Sequence, residues 1–171
     1  DVFASADEKN MANAVDAKLT TGSQTVFARN VLTLVTAPGN PKKITGLDSS
    51  LDGKKLVVCA PEVPCGNATN QLAEKLGVTL KPVSQESKVT DVLGKVTSGE
   101  ADAGIVYVTD AKGAGGKVET VAIKGSDQVV NNYPISVLAS APQPDLAGEF
   151  VTLVTSQAGK DALSAAGFVT P

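Results

Sequence analysis

The stretch at residues 56–68, LVVCAPEVPCGNA, decides the fold of this chain. Its apolar run Leu56–Cys59 is bounded by turn residues, which is typical of a central strand in a parallel sheet. Two prolines and Cys65 follow this run. Apolar residues then recur at helical spacing from Ala68 to Leu76, with Gly77 just beyond. The stretch predicts a strand, a stiff loop and a helix whose first N–H groups have no backbone acceptor, which is a seat for an anion.

Composition limits the chemistry of the remaining residues. The chain has 171 residues, a formal net charge of −3 and no histidine. Ser-His-Asp and Cys-His nucleophilic sites and histidine-based zinc sites are therefore excluded. Lysine and arginine do not cluster, so nucleic acid is not an expected partner. The sequence contains neither a signal-peptide pattern nor an apolar run long enough to span a membrane.

The two cysteines, Cys59 and Cys65, lie six positions apart on either side of the loop. An even count at this spacing favours a disulfide formed in an oxidising compartment. Closing so short a loop would stabilise the fold by about 2 kcal/mol. The alternative is a pair of unpaired thiols. Cys65 as a nucleophilic or redox thiol has little support, because no general base is near it in the sequence.

Strand and helix patterns alternate through the middle of the chain, which predicts an α/β domain with a mostly parallel sheet at residues 36–131. The two ends, 1–35 and 132–171, then form a discontinuous second lobe joined by two crossings. Two lobes with two connecting strands are typical of a binding cleft. A long β-prone run at 25–36 precedes this region. The predicted elements of the middle region itself are strands at 55–60, 78–83, 103–108 and 118–123, a helix at 67–76 and a helix capped by Ser87.

Several residues stand at positions where ligands are bound in such folds. Val106 lies near the end of a predicted strand, where doubly wound sheets collect ligands, although most such residues are simply core. Tyr133, at a predicted crossing, offers a hydroxyl or merely packs there. The acidic residues Glu100, Asp102 and Asp110 could form a metal site, but solvated loops explain them more simply.

Taken together, these stretches resemble the molybdate-binding component of bacterial ABC transporters, the ModA family, from end to end of the chain. The block GEADAGIVYVTDA and the tyrosine-proline strand are the most specific of the matching motifs. The motifs are DVFASADE at 1–8, FARN at 27–30, VPCG at 63–66, GEADAGIVYVTDA at 99–111, NYPISV at 132–137 and SQAGKDALSAAGF at 156–168.

The resemblance implies a two-lobed periplasmic binding protein-like fold of type II, with one lobe complete and one partial. It also implies an oxyanion held only by uncharged donors. Carried onto this sequence, these are the backbone N–H groups of Cys65 and Val106 and the hydroxyl of Tyr133. The family's alanine is Cys65 here, which leaves a backbone donor intact. Two further serine loops of the family have no counterpart here, because they belong to an N-terminal segment that we expect to be absent from this chain or to be a separate polypeptide.

The function that the resemblance implies is capture of molybdate or tungstate outside the cytoplasm and delivery to an ABC permease. No catalysis, cofactor or directly coordinated metal is expected, and we expect the export signal or lipid anchor to lie outside this chain. Two alternatives remain at this point: a binding protein for another tetrahedral oxyanion or small anion, and the ligand-sensing domain of a transcription regulator. The absence of a basic patch or DNA-binding helix argues against the regulator.

Overall fold

The computed structural model describes residues 1–171 and has two compact units. Unit 1 comprises residues 1–30 and 131–171, and unit 2 comprises residues 31–130. The helices and strands, in chain order, are β1 (Val2–Ala4), α1 (Glu8–Asp16), β2 (Thr20–Asn30), β3 (Leu32–Thr36), β4 (Leu56–Cys59), α2 (Pro64–Leu76), β5 (Ser84–Glu86), α3 (Val89–Thr97), β6 (Ala103–Tyr107), α4 (Val108–Ala114), β7 (Glu119–Val121), β8 (Asn131–Leu138), α5 (Pro144–Thr155) and α6 (Gln157–Ala166). None of these helices is both long enough and apolar enough to cross a lipid bilayer.

Unit 2 is built on a five-stranded sheet with the order β5-β4-β6-β3-β7. Strands β5, β4 and β6 are parallel, and β3 runs antiparallel to β6 and β7. Every residue of β3, β4 and β6 is buried, because helices cover the sheet. Strands β4 and β6 are continuous apolar runs, whereas β3 also buries Thr33 and Thr36. The main hydrophobic core lies entirely in this unit, between Leu32 and Val129.

Helix packing on this sheet depends on small residues at close approaches. Gly104 of β6 faces α3, and a Cβ at this position would lie 2.8 Å from Val92 Cγ1 and 3.0 Å from Val96 Cγ2. Gly66 in the first turn of α2 is tighter still, because a Cβ there would lie 1.8 Å from the carbonyl oxygen of Ala60. Helix α2 ends at Gly77, which has a left-handed conformation with φ of 65°.

Unit 1 has a three-stranded antiparallel sheet with the order β1-β8-β2. Helix α1 begins at its cap Asp7, whose carboxylate accepts the N–H of Asn10 at 2.8 Å. The buried apolar side chains of this unit are few: Met11, Ala28, Ile135 and Ala147.

Three sequence-based expectations differ from the structure. The run at 25–36 is two strands in two sheets, because the chain changes partner at Val31: β2 pairs with β8, whereas β3 pairs with β6 and β7. Residues 31–35 consequently belong to unit 2, and the boundaries between the units fall at 30/31 and 130/131 rather than at 35/36 and 131/132. The strand expected at 78–83 is β5 at Ser84–Glu86, because these are the residues in parallel register with β4.

We expect Gly66→Ala to lower the free energy of unfolding by about 3 kcal/mol, because the added methyl group meets backbone atoms that cannot move aside. The measurement is urea denaturation followed by circular dichroism. Gly94→Ala is the matched control: Gly94 lies within α3, nothing stands within 4 Å of the place that its new methyl group would take, and alanine should raise stability by up to about 1 kcal/mol. Equal effects of the two substitutions would contradict the close approach at Gly66.

Candidate functional site

The carboxyl ends of β5, β4 and β6 lie along one edge of the unit 2 sheet, because the three strands are parallel neighbours. We call this the carboxyl edge. Strand β4 leads through a short loop into α2, and β5 leads into α3 after two residues. Ligands in α/β sheets bind beyond the carboxyl ends of the strands, where such helices begin.

The first turn of α2 leaves one backbone donor without an acceptor. Pro64, the first helical residue, has no N–H, and the N–H groups of Gly66 and Asn67 donate to the carbonyl of Val63 at 3.1 and 2.9 Å. Cys65 therefore carries the first N–H of the helix, and the protein supplies no acceptor for it. Val63, the capping residue, makes no side-chain hydrogen bond to the helix. The helix dipole and this N–H make the turn electropositive.

Helix α3 begins in the same manner. Asp91 and Val92 donate their N–H groups to the carbonyl of Lys88 at 3.1 and 3.4 Å, whereas the N–H groups of Val89 and Thr90 have no acceptor in the protein. The cap is Lys88, not the expected Ser87, and its side chain makes no capping bond. The capped starts of α1 and α6 differ, since Asp7 and Ser156 each accept an N–H there.

Sequence reasoning missed the donors of α3. The apolar pattern places the strand before α3 at 78–83, too early in the chain, so the turn from β5 into α3 does not stand out as a second copy of the turn from β4 into α2. The signal that could have revealed it is the short polar stretch at Ser84–Glu86, which is separated by two residues from the helix that begins at Val89, since a three-residue edge strand needs no apolar run.

Cys59 and Cys65 form a disulfide, which confirms the pairing expected from their spacing. Cys59 is the last residue of β4 and Cys65 the second residue of α2, so the bond ties the strand end to the first turn of the helix. Both residues are buried. Neither sulfur is a free thiol, and a nucleophilic role for Cys65 is excluded in this state.

Val106 lies in β6 opposite Thr33 of β3. The N–H of Val108 donates to the carbonyl of Val31 at 3.0 Å, and hydrogen-bonded pairs alternate along an antiparallel ladder. Val106 therefore occupies a hydrogen-bonded position and directs its N–H toward β3. This pairing argues against Val106 as a donor to a ligand.

Tyr133 lies in β8 of unit 1 and is half-buried. Its ring makes edge-to-face contacts with Phe27 and Phe168, at centroid distances of 6.4 and 5.5 Å. Its hydroxyl oxygen accepts a hydrogen bond from Asn30 Nδ2 at 3.5 Å. The tyrosine is thus packed within an aromatic cluster and carries its hydroxyl beside a buried asparagine.

The acidic residues considered as a metal site serve separate local contacts. Glu100 accepts from Ser98, and Asp102 accepts the N–H of Lys55 and pairs with Lys42 at 3.6 Å. Asp110 accepts the N–H of Tyr107 at 3.0 Å. Burial raises the pKa of Asp110, and the hydrogen bond from Tyr107 opposes that rise. No three acidic or cysteine side chains of the chain come together as metal ligands.

A concavity of unit 2 with a volume of about 620 Å³ contains none of these donors. Its lining includes Lys54, Leu56 and Lys81. Lys54 precedes β4, so this concavity adjoins the amino end of that strand. A second concavity of unit 2, with a volume of about 450 Å³, includes Thr90 in its lining and so borders one donor of the carboxyl edge.

Comparisons with known proteins identify the family of this chain. A family model described as bacterial extracellular solute-binding protein matches residues 1–169. The protein named Molybdate-binding protein ModA from Mycobacterium tuberculosis is 48% identical over 172 residues, which confirms the resemblance expected from the motifs. That match covers 100% of this chain and 66% of the relative, so the chain spans about two thirds of the length of the curated relative.

Two solved structures share the fold. The periplasmic molybdate-binding protein of Azotobacter vinelandii superposes with a TM-score of 0.83 at 23% identity, over 99% of this chain and 78% of that chain. The substrate binding domain of a putative molybdenum ABC transporter from Clostridium difficile gives 0.75 at 26% identity, over 100% and 77% of the two chains. The α/β fold of the periplasmic binding protein class, expected from the sequence, is confirmed.

Removal of the disulfide is expected to lower the free energy of unfolding by about 2 kcal/mol, because the bond closes a loop with a sequence separation of six. Urea denaturation of the wild type with and without a thiol reductant measures this difference. The Cys59→Ala/Cys65→Ala variant should unfold like the reduced wild type and should not respond to reductant. A reductant effect of the same size on that variant would contradict the assignment.

The raised pKa of Asp110 gives a pH dependence of known sign. The folded state binds the proton more tightly than the unfolded state, so the contribution of Asp110 to stability falls as pH rises from about 4 through the raised pKa. We therefore expect the stability of Asp110→Asn, relative to the wild type, to increase between pH 4 and pH 7. Thermal unfolding at a series of pH values measures this trend.

Asp48→Asn provides a control of opposite sign. Hydrogen bonds from Ser50 and Thr45 lower the pKa of Asp48, so its ionised form is favoured in the folded state. The stability of this variant relative to the wild type should decrease as pH rises through the lowered pKa to about pH 4, and should change little above that. Parallel trends in the two variants would contradict the assignment at Asp110.

Proposed function

Because the chain belongs to the family of bacterial extracellular solute-binding proteins, we propose that it captures molybdate or tungstate outside the cytoplasm and delivers the oxyanion to an ABC permease. The oxyanion is the cargo of the protein and not a cofactor, and no reaction is catalysed. The polypeptide that contains this chain is periplasmic or held as a lipoprotein on the outer face of the cell membrane.

The observation that carries the proposal is the pair of uncapped helix starts at the carboxyl edge. The N–H of Cys65 and the N–H groups of Val89 and Thr90 are donors that the protein itself leaves without acceptors. Fixed N–H dipoles at helix starts favour an anion and need no counter-charge. A site made of such donors favours a fully deprotonated tetrahedral oxyanion, because each of its oxygen atoms can accept a hydrogen bond.

The proposed donor set differs in part from the one implied by the resemblance. Cys65 is retained, because its N–H is unpaired. Val106 is replaced by Val89 and Thr90, because the ladder with β3 engages the N–H of Val106. Tyr133 is retained as a hydroxyl donor on the resemblance alone. Selection of molybdate or tungstate over sulfate rests on the size of the site, since the metal–oxygen bonds are longer.

A further partner is proposed for unit 1. Leu146, Phe150 and Leu153 lie at i, i+4 and i+7 on α5 and are each more than half exposed, at 58%, 52% and 59%. A contiguous exposed apolar stripe of this kind marks a surface that another segment or protein can cover. We propose that it is covered by a segment equivalent to the part of the relatives that this chain does not match, either in the same polypeptide or in a separate one.

Isothermal titration calorimetry tests the proposal directly. The natural polypeptide that contains these 171 residues is titrated with sodium molybdate, sodium tungstate and sodium sulfate at about pH 7. We expect saturable binding of molybdate and tungstate with a dissociation constant at least tenfold lower than that for sulfate. Tight binding of sulfate alone would establish a different oxyanion, and no heat with molybdate or tungstate would refute the proposal.

The Tyr133→Phe variant separates the proposed hydroxyl donor from the packing of the ring. Phenylalanine preserves the contacts with Phe27 and Phe168, so the fold should be kept. Loss of one hydrogen bond to a charged ligand should raise the dissociation constant for molybdate about tenfold or more. Unchanged affinity, with an unchanged melting temperature, would remove Tyr133 from the donor set.

A further inference from the structure

A partly buried ion pair lies between β5 and α3. Lys95 Nζ contacts Glu86 Oε1 at 2.5 Å and donates to Ser84 Oγ at 2.9 Å. Ser84 Oγ also donates to Glu86 Oε1. The three side chains therefore join the edge strand β5 to helix α3. The side chain of Glu86 is 16% exposed and that of Lys95 is 31% exposed.

The register places Glu86 at the carboxyl edge. It is the last residue of β5 and lies opposite Cys59, the residue whose disulfide holds the start of α2. Its carbonyl accepts the N–H of Ala60 at 2.8 Å. Helix α3 begins only three residues later, at Val89. The residue that carries this carboxylate thus lies at the same edge as the donors of both helices.

A negative charge at this edge opposes the binding of a dianion. Hydrogen bonds from Lys95 and Ser84 lower the pKa of Glu86, so the carboxylate is ionised at neutral pH. The ammonium group of Lys95 cancels this charge at short range. Lys95 also lies in the last turn of α3, where a cation complements the helix dipole without reducing the positive end at Val89.

We propose that Lys95 is a positioning residue for anion capture, which neutralises Glu86 at the carboxyl edge and ties α3 to β5. The inference rests on the proposed function, since it concerns the same donors. In this proposal Lys95 does not contact the ligand. Its charge keeps the electrostatic potential at the carboxyl edge favourable to an anion. Without Lys95, the donors of Val89 and Thr90 would face a dianion beside an uncompensated carboxylate.

The test uses molybdate titration of four variants of the natural polypeptide: Lys95→Met, Glu86→Gln, the double variant and Lys42→Met. Lys95→Met should raise the dissociation constant about five- to fifteenfold, as a unit charge near 10 Å from a dianion does at a permittivity of about 40 to 80. Glu86→Gln should bind as tightly as the wild type or tighter. The double variant should return to within about twofold of the wild type, because it carries neither charge.

Lys42→Met is the matched control. Lys42 belongs to the other ion pair of unit 2, with Asp102, which precedes β6 and so lies at the amino ends of the strands. Its removal should change the dissociation constant less than twofold. The loss in Lys95→Met should also shrink as salt is raised from about 20 to about 300 mM, because added ions screen exposed charges.

Three results would overturn the inference. Unchanged affinity of Lys95→Met would show that the charge has no effect. A double variant as weak as Lys95→Met would show a mechanical tether only. The third result is weaker molybdate binding by Glu86→Gln, which would be expected if the ion pair only tied α3 to β5 mechanically. This variant alone tests the inference if Lys95→Met does not fold. Absence of molybdate binding by the wild type would instead refute the proposed function, so the two failures are distinguishable.

Discussion

The structure of unit 2 depends on one close backbone approach, between the first turn of α2 and the carbonyl of Ala60. A side chain at Gly66 would place its Cβ 1.8 Å from that oxygen, so glycine is required there. The N–H of Val63 donates to the same carbonyl at 3.2 Å, which closes the loop tightly after β4. The disulfide then fixes Cys65 over the strand end. These contacts set the direction in which the first N–H of α2 points.

The same approach explains why the neighbouring strands keep their register. Ala60 follows β4 directly and donates its N–H to the carbonyl of Glu86, which extends the pairing of β4 with β5 by one bond. The start of α3 is consequently held at a fixed distance along the edge from the start of α2. Two uncapped helices then present their donors from adjacent strands. The edge is an arrangement of backbone groups, and its geometry depends on packing rather than on the side chains at the donors.

The sequence predicts this half of the molecule well because its signals are local. The run Leu56–Cys59, the helix that ends at Gly77 and the spacing of the two cysteines each reflect a short-range constraint. Strand β5 escapes prediction because an edge strand of three polar residues has no apolar pattern. The division of the run 25–36 into two strands at Val31 could not be predicted, because a change of strand partner does not alter the residue pattern of a continuous β-prone run. The direction of the Val106 N–H depends on the pairing partner, which no motif specifies.

The proposed site lowers the stability of the free protein, because its two helices lack capping side chains. A capping side chain stabilises a helix by about 1 kcal/mol, and neither α2 nor α3 has one. The two missing caps together forfeit about 2 kcal/mol, which the disulfide offsets at about the same magnitude by closing its short loop. Caps at these positions would stabilise the free protein, but their oxygens would occupy the very N–H groups that an anion needs. The covalent bond restores stability from a position that leaves those donors open, which is why a cysteine at position 65 is compatible with binding through its backbone.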